Sequence, residues 1–144
     1  MIKPVMFALA LAAGQPSSDM EKATPFLPIQ DELPAKLFVD PPLAEPLAQR
    51  GAAVIPYRTE NFRILPIFGP AAKEVSPRAG HLHVSVDDLN WHWADAGDNS
   101  TVVVVGLSPG GHSVLIELAL PDHQVIAGQR VNFTVPSLTQ RDSK

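Results

Sequence analysis

Short apolar runs separated by turn residues are the feature that most constrains the fold of this chain. Clusters of glycine, proline, aspartate, asparagine and serine stand between the runs, and no run has the 3.6-residue period of a helix. This spacing predicts an all-β fold, an immunoglobulin-like antiparallel β-sandwich. The predicted strands cover residues 61–68, 81–86, 91–93, 101–105, 112–119 and 130–135.

Two of these strands carry a more specific expectation. The unbroken apolar run Thr101 to Val105, "TVVVV", predicts a strand that is buried on both faces. Pro66 within residues 61–68 predicts an edge strand, because proline cannot donate a hydrogen bond to a central ladder.

The part of the chain before the predicted sandwich is rich in proline. Residues 25–56 contain seven of the fifteen prolines, and this density predicts an extended, polyproline-like arm. We therefore divide the chain into a signal peptide (1–13), a proline-rich arm (14–56), a β-sandwich (57–137) and a polar tail (138–144).

The first residues resemble a secretory signal. Lys3 supplies a positive charge, Val5 to Leu11 form a short apolar run, and Ala10 to Ala12 offer a small-residue cleavage site. The run is too short to span a membrane. The sequence thus predicts a periplasmic or secreted protein with no membrane span.

Composition excludes several classes of function. The net charge is −4 and no cluster of lysine and arginine is present, which argues against binding to nucleic acid. The chain has no cysteine, so it can form neither a disulfide nor the thiolate ligand of a blue-copper site. No nucleophile with a plausible base and no nucleotide-binding loop is recognisable, so we expect no enzymatic activity.

The stretch "GHLHVSVDD" contains the strongest candidate site. Leu82, Val84 and Val86 alternate with His81 and His83, so the two imidazoles share the face opposite the core. Side chains at i and i+2 of a strand are about 6.5–7 Å apart, close enough to converge on one Cu(II) or Zn(II) ion. The pattern predicts a shallow surface site. The alternative is that both are ordinary polar residues on a half-exposed strand.

A third ligand would be needed, and His112 is the first candidate. In an immunoglobulin-like topology the predicted strands 81–86 and 112–119 run the same way, so His81 and His112 would lie at one end of the sandwich. The alternative is a hydrogen-bonded structural histidine, because His112 shares parity with the apolar residues Val114 and Ile116. His92 and His123 are expected to be solvated.

Several segments together resemble a family of small secreted bacterial immunoglobulin-like proteins of unknown function. The segments are "SPRAGHLHVSVDD", "WHWADA" and "PGGHSVLIELA", and the resemblance extends over about residues 33–136. It implies the fold and the periplasmic or secreted location, and it implies no activity. The sequence therefore predicts a binding or structural module of the cell envelope with a possible protein partner, and the alternative is a Cu or Zn binding protein.

Overall fold

The computed structural model describes residues 27–28, 31–90 and 92–137, and most of these residues belong to strands. These described residues also form one short α-helix and one 3₁₀ helix, the latter at Pro70–Glu74. The elements are β1 (Leu27–Pro28), β2 (Lys36–Val39), α1 (Ala44–Arg50), β3 (Ala53–Glu60), β4 (Arg63–Ile64), β5 (Val75–Ser76), β6 (Ala79–Val86), β7 (His92–Asp95), β8 (Thr101–Val104), β9 (Gly110–Ala119) and β10 (Val125–Val135).

Two sheets face each other across the core. The five-stranded sheet has the order β10-β9-β6, with β4 and β7 also paired to β6, and the three-stranded sheet has the order β2-β3-β8. Buried residues of both sheets form one cluster, which includes Ile55 and Val102 from the smaller sheet and Leu82, Val84 and Ile116 from the larger. This arrangement confirms the predicted all-β sandwich, and its immunoglobulin-like class stays a prediction.

Strands β6 and β9 are antiparallel neighbours. His81 lies opposite Ala119, and Val86 lies opposite Val114. The two strands therefore begin at opposite ends of the sheet, and the expectation that they run in the same direction is wrong. This pairing decides which histidines meet.

The segment predicted as a proline-rich extended arm forms much of the smaller sheet. Strand β2, helix α1 and the first half of β3 lie within residues 36–56. The prolines occupy places that tolerate them. Pro46 lies in the first turn of α1, where a backbone N–H has no helical partner. Pro56 accepts a hydrogen bond from Asp40 N at 3.0 Å, just past the end of β2.

Two predicted strands differ from the structure. Only Arg63–Ile64 of residues 61–68 is a strand, and it pairs in parallel with the start of β6. Strand β8 is not buried on both faces, because Val102 and Val104 enter the core whereas Val103 and Val105 are 56% and 69% exposed. In the described part of the chain β8 pairs only with β3, and nothing covers its outer face.

Some predictions fall outside the described residues. The signal peptide at residues 1–13 and the polar tail at residues 138–144 are among them, as is Trp91, the first residue of the predicted strand 91–93. Among the described residues, no helix has the length and apolar character needed to cross a membrane.

Candidate metal centre

Strand β6 presents two histidines on the face of the sheet that is turned away from the core. Leu82 and Val84 are fully buried in the core, and their alternation places His81 and His83 on the opposite face. The pair therefore lies side by side on one strand, as the alternating pattern predicts.

Gly80 brings the beginning of β6 close to its neighbours. A Cβ atom at this position would lie 2.1 Å from the carbonyl oxygen of Ala119 and 2.8 Å from Cζ of Phe62. Because real Cβ atoms do not approach backbone so closely, only glycine fits here. The residue before His81 thus holds the strand tightly against the end of β9.

The turn after β9 adds the third histidine. His81 is opposite the last residue of β9, so the turn from Leu120 to Gln124 lies next to it. His123 has a left-handed backbone (φ 67°), and its N–H donates to the carbonyl of Leu120 at 2.8 Å. Non-glycine residues in this conformation are uncommon and cluster at functional sites.

Two contacts fix this turn to the loop between β4 and β5. Lys73 Nζ forms an ion pair with Asp122 Oδ2 at 3.0 Å, and Gly69 N donates to the carbonyl of Pro121 at 2.8 Å. The backbone that carries His123 is therefore held from two sides.

The three imidazoles, called the histidine trio below, converge on one point. His81 Nε2 is 3.2 Å from His83 Nε2, and both atoms are 3.1 Å from His123 Nδ1. These nitrogens form a nearly equilateral triangle. Within the described residues, this is the one group of at least three such side chains with ligand atoms close enough to share a metal ion.

Hydrogen bonding alone cannot satisfy this triangle. One N–H can donate to one or both of the other nitrogens, but the two acceptors then face each other with their lone pairs. With two N–H groups, the two donors face each other instead. At least one of the three contacts is therefore repulsive in the metal-free protein. A cation at the centre would instead bind the lone pair of every one of the three nitrogens.

The triangle has the right size for a first-row metal ion. For sides of 3.1–3.2 Å, an ion held at about 2.05 Å from each nitrogen lies about 1 Å out of their plane. The resulting N–metal–N angles are about 100°, between the octahedral and tetrahedral values. Three nitrogens so placed occupy one side of the ion and leave the other side open.

Exposure rises across the trio. His81 is fully buried, His83 is half-buried and His123 is exposed. The ring of Phe68 lies over the inner part, 4.8 Å from the ring of His81 and 6.0 Å from that of His123. The prediction of a shallow surface site is therefore wrong for His81, because a loop covers this end of the sheet.

Burial and proximity keep the two strand histidines neutral. Desolvation lowers the pKa of His81, and the neighbouring His83 and His123 lower it further. Desolvation also lowers the pKa of His83, followed by the effects of His123 and His92, with Glu117 acting in the opposite direction. Both imidazoles thus have lone pairs available at neutral pH, the state that metal binding requires.

One feature of the trio limits its affinity. Nδ1 of His81 is buried, and among the described residues it has no hydrogen-bond partner. Metal-bound histidines usually donate their second N–H to a carboxylate, a carbonyl or water, which orients the ring and strengthens the bond. Without such a partner among the described residues, His81 is a weaker ligand than one supported in that way.

His112, the third ligand suggested by the sequence, does not belong to the trio. It lies at the start of β9, at the opposite end of the sheet. Its Nδ1 is 2.6 Å from Asp87 Oδ2, and its Nε2 is 2.7 Å from the carbonyl oxygen of Ser108. The alternative, a hydrogen-bonded structural histidine, describes its surroundings.

His92 lies beside the trio without joining it. It is on β7, opposite Ser85, and its ring centroid is 5.7 Å from that of His83. The side chain is exposed, as expected for a solvated residue. His123 was expected to be solvated too, and it is exposed, but its ring nitrogen turns inward to the other two.

The sequence contained one usable signal for His123. "LPDHQ" follows a strongly alternating strand, and Pro121 and Asp122 mark it as a turn. If β6 and β9 are taken as antiparallel neighbours, that turn falls next to His81. The direction of this pairing, and not the character of the residue, was the missing information.

Comparisons with known proteins identify relatives without an assigned function. The model of one protein family, described as "Family of unknown function (DUF6130)", matches residues 4–144. No curated protein and no solved structure matches the chain. The site geometry is therefore the available guide to function.

Proposed function

The chain belongs to DUF6130, a family of unknown function, and we propose that it is a non-enzymatic module that binds one Zn(II) ion through His81, His83 and His123. The proposal rests on one observation, the convergence of three imidazole nitrogens within 3.1–3.2 Å of one another. It adopts the metal-binding alternative from the sequence and replaces His112 by His123.

The shape of the triangle favours Zn(II) over Cu(II). Cu(II) prefers a tetragonal plane, in which three nitrogens include a pair on opposite sides of the metal, about 4 Å apart. All three distances in the trio are shorter than this. Zn(II) has no such electronic preference and accepts a tetrahedral arrangement with three histidines on one side.

We also propose that the protein acts outside the cytoplasm. The signal-like first residues support this location. The cysteine-free sequence agrees with it, because a site made only of imidazoles is not lost by thiol oxidation in an oxidising compartment.

Titration calorimetry tests the proposal. Chelator-treated protein is titrated with Zn(II) and with Cu(II) at pH 7.5, and we expect one Zn(II) per chain. The double variant H83Q/H123Q should lose this binding and keep the fold, because both side chains are at least partly exposed. H112Q is the matched control, since it also removes a histidine but leaves the trio intact.

Two results would contradict the proposal. Wild-type protein that binds no Zn(II) would remove the function altogether. Equal affinities of the wild type and H83Q/H123Q would show that zinc binds elsewhere on the chain.

A second candidate function is supported by a separate observation. Val103 and Val105 expose most of their surface at β8, an edge strand of the smaller sheet in the described part. Exposed apolar edge strands are sites where another chain can add a strand. An envelope protein partner at this edge would make the chain an interaction module. V103K should then abolish its co-purification while leaving zinc binding unchanged.

A further inference from the structure

We propose that the open side of the metal centre binds a small carboxylate that has an apolar body. This inference rests on the proposed zinc function, because it concerns the ligand that completes the coordination of the same ion. Four features support it: the free coordination position, the charge of the ion, the positions of the nearby carboxylates and the position of Phe68.

The first feature is the number of protein ligands. Three nitrogens on one side of the ion leave at least one position free, and zinc sites of this kind hold an exchangeable ligand there. Over residues 31–90 and 92–137, no further histidine, aspartate or glutamate belongs to the group of converging ligand atoms. Since none of these described residues supplies a fourth ligand, we assign that position to a ligand from solution.

The second feature is charge. Three neutral imidazoles supply no negative charge to a divalent ion. The ion would lie close to the fully buried His81, where Coulomb interactions are screened less than in water. An anion at the open position is therefore favoured over a neutral ligand.

The third feature is that the nearby protein carboxylates lie outside the group of converging nitrogens. Asp122, next to His123 in sequence, is paired with Lys73 at 3.0 Å. Glu117 lies opposite His83, but its side chain leans across Gly128, where a Cβ atom would be 3.1 Å from Glu117 Cγ. Neither carboxylate reaches the group of converging nitrogens.

The fourth feature, Phe68, indicates the shape of the ligand. Its ring lies against the rings of His81 and His123, and 53% of its surface is exposed. A ligand bound to the ion next to this ring would bury part of the exposed aromatic surface. An aromatic or branched carboxylate gains from this contact, whereas acetate gains little.

Visible spectroscopy of the Co(II)-loaded protein tests the inference. Co(II) replaces Zn(II), whose filled d shell gives no visible absorption, and its spectrum reports the ligands that surround it. Acetate and benzoate are titrated at constant ionic strength with perchlorate as the filler anion. We expect both to change the spectrum with saturation, and benzoate to bind about two- to tenfold more tightly than acetate.

Variants separate the parts of the inference. F68S should reduce the preference for benzoate to less than about twofold while acetate still binds. F133S is the matched control, because Phe133 is a half-buried aromatic residue near His112 at the other end of β9 and should leave the preference unchanged.

The outcomes distinguish the two proposals. Wild-type protein that binds no Co(II) or Zn(II) overturns the zinc function itself. A protein that binds Co(II) but whose spectrum responds to neither carboxylate overturns this inference and leaves the zinc function standing. Equal affinities for acetate and benzoate in the wild type overturn the assignment of an apolar body.

Discussion

The histidines near the two ends of the paired strands β6 and β9 have opposite electrostatic environments. At the beginning of β6, the imidazoles of the trio face one another, and burial lowers the pKa of His81 and His83. At its end, the hydrogen bond that His112 donates to Asp87 raises the pKa of His112, and the carbonyl of Ser108 raises it further. The same residue type is therefore neutral in one region and favours the charged form in the other.

This difference separates metal ligands from structural histidines. Both nitrogens of His112 face acceptors, a carboxylate and a carbonyl, so both must carry protons when the two hydrogen bonds are formed. No lone pair is left for a metal. In the trio, three nitrogens face one another, an arrangement that a cation would satisfy. What a ring nitrogen faces thus decides its role.

The His112–Asp87 pair stabilises a strained turn. Asp87 and Asp88 both have left-handed backbones, with φ 51° and 54°, in a turn where glycine or asparagine is usual. Asp87 Oδ1 accepts a hydrogen bond from Ser113 N at 2.7 Å, and Arg130 pairs with Asp88 at 2.8 Å. The pair therefore belongs to a network that holds the β6–β7 turn against β9 and β10.

The largest expected difference between the two regions is in zinc affinity. H123Q should weaken Zn(II) binding at least about 100-fold, because it removes one of three ligands, whereas H112Q should change it less than about threefold. Competition with a chromophoric chelator at pH 7.5 measures both. A loss of similar size in H112Q would show that the two regions form one site, and it would contradict the distinction between the trio and His112.

Zinc should also stabilise the fold through the trio alone. At a free zinc concentration about 100 times the Kd, binding contributes about 2.7 kcal/mol, which corresponds to an increase in Tm of about 5–11 °C for a chain of this size. The increase should be absent in H83Q and fully present in H112Q. Differential scanning fluorimetry with and without chelator measures it. An increase that persists in H83Q would place the stabilising ion outside the trio.

Acidification should weaken zinc binding. Protons compete for the imidazoles, so lowering the pH from 7.5 to about 5.5 should reduce the affinity by more than about tenfold. Since the pKa values of His81 and His83 are lowered from 6.5, the loss should begin at a lower pH than it would for free imidazoles. Calorimetry across this range provides the test, and an affinity independent of pH would exclude imidazole ligands.

The His112–Asp87 pair should respond to pH in the opposite direction. The pKa of His112 is raised from 6.5, so its stabilisation is complete below pH 6.5 and is lost as the pH rises through the folded-state value. The pKa of Asp87 is lowered from 3.8, mainly by the hydrogen bond from His112 and also by Ser113 N, so its part is lost only in strong acid.

The pair therefore contributes most between about pH 4 and 6.5. H112Q should destabilise the metal-free protein by about 1 kcal/mol at pH 5.5 and by less at pH 8.5. Urea unfolding in the presence of chelator at both pH values measures this change. A larger destabilisation at pH 8.5 would show that His112 is neutral in the folded protein.

The sequence predicted the strand that carries the site but not the complete site. Alternation fixes which face His81 and His83 occupy, because parity along a strand is a local property. His123 is 40 residues away from His83, and its place depends on the direction in which β6 and β9 pair. It also lies in a turn with a left-handed backbone, where side chains do not alternate between two faces as they do along a strand.

The proline-rich segment forms strands and a helix instead of the predicted extended arm, for a related reason. Proline density argues against regular structure only when the N–H groups it removes are needed. Pro46 lies in the first turn of α1, where its N–H would have no helical partner, and Pro56 lies in β3 opposite Asp40, just past the end of β2. Composition could not supply these positions, because they depend on which residues pair across the smaller sheet.

The smallest expected effect is that of a substitution at His92, and it tests whether the metal site includes any histidine beyond the trio. His92 contacts the trio only through the ring of His83, at 5.7 Å between centroids, and it lies opposite Ser85 on β7. Because its nitrogens do not belong to the converging group, H92Q should change zinc affinity less than about threefold. The lowering of the His83 pKa by His92 is lost in H92Q, so the change should be larger at pH 6.0, where protons compete for His83, than at pH 7.5. Competition titrations of the wild type and H92Q at pH 6.0 and 7.5 measure both points. A loss comparable to that of H123Q would make His92 a fourth ligand and would extend the metal centre onto β7.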